Sequence, residues 1–175
     1  FRDEAFEPYK ATRLSQPQEL YDQFDFIREF LDAMHVPSID AVGFEADDVI
    51  GTLAHKFAAE SCEVLILSGD LDPLQLVNEH IKTITPKKGM SDTVVYDRAG
   101  VHERYGLDPE QLIDFKALKG DTSDNIPGVK GIGEKTAATL IQKFGTFDKM
   151  YEAIEKNKKM PVSERVVGLL RDQKD

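Results

Sequence analysis

The sequence has one cysteine, no tryptophan and four histidines. A single cysteine excludes a disulfide framework. Cys62 sits in Ser61-Cys62-Glu63, just ahead of an apolar run, where a semi-buried thiol with no chemical role is expected. A reducing compartment fits this usage. His35, His55, His80 and His102 share no metal-ligand spacing, so each is expected to serve the surface or the packing. No apolar run approaches the roughly 18 residues that would mark a membrane-spanning helix, and no secretory leader is expected. Positive charge is also in deficit. Lys and Arg total 22 against 32 Asp and Glu, a net charge of −10. That balance excludes a protein that holds nucleic acid by a broad basic surface. It leaves open one that gathers acid at a metal site and base on a single contact face.

What is present is an ordinary globular composition, 41% hydrophobic and 31% charged over 175 residues. Such a chain can form one domain, or one with a small appendage, without staples. It opens Phe1-Arg2-Asp3-Glu4, with no initiator Met, and reads as the interior of something longer. Residues 1–17 are charged and irregular. Leu20, Phe24, Ile27, Leu31 and Met34 recur at helical spacing, with Pro37 as the stop. Val49, Ile50, Leu53 and Phe57 form the apolar face of a second helix. Glu63–Leu67 reads as a buried strand of the parallel type. A short helix is expected over Leu74–Asn78. Ile81–Thr85 and Thr93–Tyr96 read as strands about a turn at Pro86-Lys87-Lys88-Gly89. Helices are expected over Arg98–Tyr105 and Pro109–Lys119, the second capped by Asp108. Three more follow, over Thr136–Phe144, Phe147–Glu155 and Ser163–Arg171. The expectation is an α/β class fold, with a partial, mostly parallel sheet flanked by helices, followed by an all-helical region. Three short strands are few for such a sheet, so further strands are expected ahead of Phe1.

Three acidic clusters stand out. Glu45, Asp47 and Asp48 open the second helix, where capping and the helix dipole favour acids in any case. Spacing lets Glu45 and Asp48 share a face and turns Asp47 elsewhere unless the helix starts after it. Asp70 and Asp72 follow directly on the apolar strand, where α/β sheets place ligands. Asp121 and Asp124 lie in Gly120-Asp121-Thr122-Ser123-Asp124-Asn125, which serves equally as an Asx turn. Each cluster alone has a plain structural explanation. Together they suit hard divalent cations, which take oxygen ligands. A pair of such ions can clamp both oxygens of a phosphodiester exchange. Next comes Ile126-Pro127-Gly128-Val129-Lys130-Gly131-Ile132-Gly133-Glu134-Lys135-Thr136-Ala137. This is a glycine turn opening a helix, with lysines on either side, suited to gripping a phosphate backbone.

The strings FRDEAFEPYKATR, FEADDVIGTLA, SGDLDPLQL and LKGDTSDNIPGVKGIGEKTAATLI together resemble the flap endonuclease superfamily, and within it the 5′-nuclease (5′→3′ exonuclease) domain of bacterial DNA polymerase I. The match spans Phe1 to about Phe144. The resemblance implies a PIN/flap-nuclease-like core over 1–100, lacking its N-terminal strands and two metal-binding Asp residues, with a remnant of the helical arch at 1–17. A helical DNA-binding region over 101–175 follows, with a helix-hairpin-helix at 126–144. It further implies metal ligation by Glu45, Asp47, Asp70, Asp72 and Asp124, with Asp48 and Asp121 at matching acidic positions. Lys10 and Arg13 fall in the arch, and Lys10 is the expected contact to the scissile phosphate. Lys130, Gly131, Gly133, Lys135 and Thr136 fall on the DNA-gripping turn.

The implied activity is two-metal hydrolysis of DNA at a 5′ flap, nick or single-strand/duplex junction, in replication and repair. Mg²⁺ is the expected ion, with Mn²⁺ as a substitute and K⁺ at the helix-hairpin-helix. A covalently linked polymerase, a monomeric state and a cytoplasmic, nucleoid-associated setting are also implied. A non-catalytic DNA-binding fragment and a free-standing 5′-nuclease without a polymerase remain alternatives.

Overall fold

The computed structural model of the chain describes residues 2–89 and 92–173. Two short helices and one longer one come first: α1 (Arg2–Ala5), α2 (Gln18–Tyr21) and α3 (Gln23–Ala33). The apolar residues of α3 recur at helical spacing, yet none of its residues is buried. Phe24, Ile27, Phe30 and Met34 all stay exposed, as do Phe44, Leu65 and Leu67 farther along the chain. Val36 N–H bonds back to the Leu31 carbonyl, and His35 takes a left-handed backbone, so α3 has already ended before Pro37.

Helix α4 (Ala46–Ala59) carries the first acidic cluster at its head. It lies against β1 (Val64–Leu67) and packs Ala54, Ile66 and Ile81 into a small core with Ile50, Val64 and Leu76. The sheet order is β1-β2-β3, with β2 (Ile81–Lys88) and β3 (Asp92–Tyr96) completing it. β1 pairs with β2 in parallel, Val64 opposite Ile81. β2 pairs with β3 antiparallel, Thr83 opposite Tyr96, with a bulge between Pro86 and Lys88. The sheet among the described residues is therefore half parallel rather than mostly so. A short hairpin cannot return a strand in the parallel sense, which needs a long crossover. The expected turn at 86–89 begins later than the sequence implied, because β2 runs on to Lys88; residues 90–91 lie outside the described residues.

The larger core belongs to the second half. A 3₁₀ turn at Asp72–Leu76 leads to the sheet, and α5 (Arg98–Tyr105) follows it. Another 3₁₀ turn at Pro109–Gln111 opens α6 (Leu112–Lys119); Asp108 caps it, as the sequence suggested, and Gln111 completes a capping box. Then come α7 (Glu134–Phe144), α8 (Phe147–Glu155) and α9 (Glu164–Asp172). Leu74, Val101, Leu107, Leu118, Leu140, Ile141, Met150 and Leu170 are fully buried in one cluster. Cys62 is exposed rather than semi-buried, because the strand begins only at Val64. All four histidines are exposed.

Candidate active site

Three chain segments bring the acids together. Glu45 is the N-cap of α4 in extended backbone, and its own N–H donates to Asp48 Oδ2 at 2.9 Å. The extended cap breaks helical spacing, so Glu45 and Asp47 line one cleft while Asp48 does not. Glu45 and Asp48 thus stay bonded through a capping box, as the spacing allowed, while Asp47 joins Glu45 in the cleft. Asp48 is taken up by Arg2, whose two guanidinium nitrogens donate to its two oxygens at 2.6 and 2.7 Å. That fork holds the Asp48 carboxyl down at about 2.

The second segment leaves β1 through Ser68-Gly69. Asp70 N–H donates to Ser68 Oγ at 3.0 Å, and Asp72 N–H to Asp70 Oδ1 at 3.0 Å. These local bonds hold both carboxylates at the mouth of the sheet. The third segment is the loop from Gly120 to Gly128. Asp121 and Ile126 exchange backbone hydrogen bonds at 2.8 Å each. Val129 N–H then reaches back to the Leu118 carbonyl at 2.9 Å. Gly120 and Gly128 close this loop backbone against backbone, both with positive φ (81° and 58°). A side chain on either one has no room there.

Residues 6–13 are stitched onto the same loop. Lys10 N–H donates to the Asp124 carbonyl at 3.0 Å, and Asn125 Nδ2 donates to the Pro8 carbonyl at 2.7 Å. Lys10 and Asn125 both adopt left-handed backbone, at φ 54° and 58°. Tyr9 Oη donates to Glu45 Oε2 at 3.0 Å and lies 3.3 Å from Asp124 Oδ2. Lys10 Nζ donates to Glu45 Oε2 at 2.5 Å, and Arg13 Nη2 to Asp124 Oδ1 at 2.6 Å. The result is a cleft of 540 Å³ lined by Tyr9, Glu45, Asp47, Asp72 and Asp124. A second hollow, sharing Asp72, is lined by Asp70, Lys116 and Asp121.

The charges are only partly balanced. Burial pushes the Asp47 carboxyl up, and the neighbouring Asp70 and Asp72 push it further. Burial alone would raise Asp121, but the Ser123 hydroxyl and the Lys116 ammonium outweigh it and hold Asp121 far below the usual carboxylate range. Burial lowers Glu45's tendency to ionise, and the Lys10 and Tyr9 hydrogen bonds more than offset it. Among the described residues, no three acidic, His or Cys side chains converge tightly enough to hold a metal ion as they stand. The donors nevertheless suit a hard divalent cation. All are carboxylate oxygens, and Asp47 lies close enough to Asp70 and Asp72 for their charge to raise it. The Lys10–Glu45 and Arg13–Asp124 pairs are partly exposed, and such pairs are worth only about 0–1 kcal/mol each.

The glycine turn sits apart, between α6 and α7. Gly133 is the N-cap of α7, Thr136 lies in its first turn, and Lys130 and Lys135 are exposed. The Lys130 backbone is already engaged. Its N–H donates to Gln173 Oε1 at 2.8 Å, and its carbonyl accepts from Gln173 Nε2 at 3.3 Å.

A family model described as the 5′-3′ exonuclease N-terminal resolvase-like domain matches residues 1–106, and one described as the 5′-3′ exonuclease C-terminal SAM fold matches residues 107–175. The chain belongs to the 5′-3′ exonuclease family. It is 46% identical to DNA polymerase I of Bacillus caldotenax over 175 residues, which is 100% of this chain and 20% of that protein. The 5′-3′ exonuclease of Bacillus subtilis (strain 168) is 44% identical over 152 residues, 87% of this chain and 51% of that one. The chain therefore spans about a fifth of the polymerase relatives and about half of the exonuclease. Among solved structures, T5 5′-exonuclease with divalent zinc ions bound superposes with TM-score 0.77 at 26% identity, covering 98% of this chain and 65% of that one. The catalytic core of Rad2 in complex with DNA superposes at TM-score 0.58 and 18% identity, covering 99% of this chain and 54% of that one, and shows the fold alone. Membership in the 5′-3′ exonuclease family agrees with the resemblance and with the α/β fold expected from the sequence.

Three residues at this site escaped the sequence reading. Arg2 and Tyr9 stand inside the quoted FRDEAFEPYKATR string but carried no spacing signal of their own. Lys116 lies five residues before Asp121, at the end of α6, where its Nζ donates to Asp72 and to Asp121. Nothing in the sequence separates it from Lys119, which instead faces Glu134 at 3.7 Å.

Proposed function

We propose that the chain is a 5′→3′ exonuclease and flap endonuclease unit that hydrolyses DNA with two divalent ions, as part of a DNA polymerase I acting in replication and repair. One observation carries this reading: carboxylates from three distant segments, with Lys10 and Arg13 against them, line one continuous acidic surface. Glu45, Asp47, Asp70, Asp72, Asp121 and Asp124 are the proposed ligands, and Asp48 supports them by orienting Glu45 and Arg2. Mg²⁺ is the proposed ion, with Mn²⁺ able to substitute. Bound there, the ions would supply Lewis acidity to the phosphodiester and neutralise its charge.

The chain's own residues do the rest. Lys10 and Arg13 pass from their carboxylate partners to the phosphate, holding it against the acids as water adds to phosphorus and the bond to the leaving oxygen breaks. Tyr9 keeps Glu45 and Asp124 in register. Lys130, Gly131, Gly133, Lys135 and Thr136 grip the duplex backbone without reading bases, and K⁺ at that turn is part of the proposal. The proposed substrate is DNA with a 5′ flap, nick or single-strand/duplex junction. The proposed setting is a monomer in the bacterial cytoplasm, associated with the nucleoid. No helix among the described residues is long and apolar enough to cross a membrane.

Two observations favour other readings. The relation to the Bacillus subtilis 5′-3′ exonuclease favours a nuclease without a polymerase. The lack of three converged ligands among the described residues favours a non-catalytic DNA-binding fragment. A cleavage assay on 5′-flap DNA, with Mg²⁺ and with EDTA, separates the nuclease readings from the fragment. Mg²⁺-dependent cleavage supports the nuclease, and binding without cleavage in the full-length protein overturns it.

A further inference from the structure

We propose that Lys116 is a resident counter-cation that competes with a divalent ion for Asp72 and Asp121, and so sets the affinity of that half of the site. The inference rests on the metal reading above.

The geometry is specific to this side chain. Lys116 projects from the last turns of α6 into the hollow lined by Asp70, Asp72 and Asp121. Its Nζ donates to Asp72 Oδ1 and, at 3.0 Å, to Asp121 Oδ2. The other Asp121 oxygen is taken by Ser123 N–H and Oγ, at 2.9 and 2.5 Å. Two carboxylates from different segments are thus bridged by one half-buried ammonium. Lys10 and Arg13 differ from it, because each pairs with one carboxylate of the cleft and docks through backbone or exposed contacts. Lys116 is the cation that ties the strand-exit loop to the Gly120–Gly128 loop.

Asp72 and Asp121 both bond this one ammonium and Asp70 lines the same hollow, so removing it leaves the bridged pair to repel. A divalent ion that takes Asp72 and Asp121 must displace the ammonium from the same oxygens. Both the competition and the like-charge repulsion between Lys116 and the ion oppose entry. Lys116 therefore keeps the metal-free site folded and makes the second ion bind more weakly than the carboxylates alone would allow. It acts as a positioning residue.

The test is Mn²⁺ binding to the full chain without DNA, read by electron paramagnetic resonance of free Mn²⁺ and by calorimetry, for wild type, Lys116→Met, Lys116→Gln and Lys116→Arg. Removing one positive charge a few ångströms from a doubly charged ion should tighten the weaker Mn²⁺ site about ten-fold or more in the Met and Gln variants. The Arg variant, which keeps the charge, should stay within about three-fold of wild type on the same basis. Melting temperature gives a second readout: added Mn²⁺ should raise it more in the Met and Gln variants than in wild type. Met and Gln variants that bind Mn²⁺ no more tightly than wild type overturn the role of Lys116 while leaving the metal reading standing. A wild-type chain that takes up no Mn²⁺ overturns both.

Discussion

Replacing Gly128 with alanine should damage this protein far more than its small size suggests. Gly128 closes the loop that carries Asp121 and Asp124. A Cβ placed on it falls 2.2 Å from the Gly120 nitrogen and 2.6 Å from Gly120 Cα, both backbone atoms that no side-chain rotation can move away. Its φ of 58° adds a second penalty. Left-handed backbone costs an ordinary residue about 1–2 kcal/mol, and forced overpacking costs about 1–3 kcal/mol. The sum, about 2–5 kcal/mol, is a large share of the roughly 5–15 kcal/mol that holds a domain folded. With a urea slope of about 1–3 kcal/mol per molar, the unfolding midpoint should drop by about 1 M or more. The assay is urea denaturation followed by circular dichroism, alongside Gly133→Ala as a control. Gly133 has nothing within 4 Å of its would-be Cβ and an extended backbone. Only its N-cap preference is at stake there, about 1 kcal/mol. A Gly128→Ala variant no less stable than Gly133→Ala would refute the reasoning.

Other expected outcomes follow from charge. Asp47 is raised by burial and then by Asp70 and Asp72, so its folded form holds a proton that the unfolded form has released. Stability therefore falls as pH rises from the unfolded value, about 3.9, through the folded one. Asp47→Asn should melt higher than wild type in EDTA at pH 7, with the gap shrinking toward pH 4; a constant gap would show that Asp47 charge is not the cause. Asp121 runs the other way. Its lowered carboxyl contributes stability that is complete above the unfolded value and lost as pH falls below about 4 toward the folded one. Asp121→Asn should therefore cost stability at pH 7 and progressively less in acid, read by thermal melts. At the glycine turn, Lys130→Ala and Lys135→Ala should each lower the slope of log affinity against log salt by about 1; unchanged slopes in fluorescence anisotropy would remove those lysines from the DNA contact.

Much of this fold was legible because its signals were local. The start at Pro109 follows from the cap at Asp108, and the apolar run before Ser68 reads directly as β1. The two strands and a turn between them were legible, but the antiparallel sense of β3 and the extension of β2 through Pro86 were not: Pro86 still pairs with Thr93, and the bulge follows it. At the site, the acids announced themselves by clustering and their counter-ions did not. Helical spacing paired Glu45 with Asp48, and the capping box keeps that pair, but spacing showed neither Asp47 in the cleft with Glu45 nor Arg2 on Asp48. Arg2, Tyr9 and Lys116 reach acids 36 to 115 residues away or across a loop, and no local pattern encodes such partners. The exposed apolar face of α3 follows the same logic: its periodicity declared an amphipathic helix but not what lies against it.

The central claim is that these carboxylates hold the ions that cleave DNA. Asp124 belongs to the cleft, faces Arg13 and lies on the loop that also docks Lys10. The most direct measurement is cleavage of a 5′-flap DNA by the full-length protein across a Mg²⁺ titration, with wild type and Asp124→Asn side by side and flap affinity measured in Ca²⁺. Mg²⁺-dependent cleavage by wild type, lost by about a hundred-fold or more in Asp124→Asn with flap affinity kept, is the expected result. Equal cleavage rates for the two proteins at every Mg²⁺ concentration would contradict it.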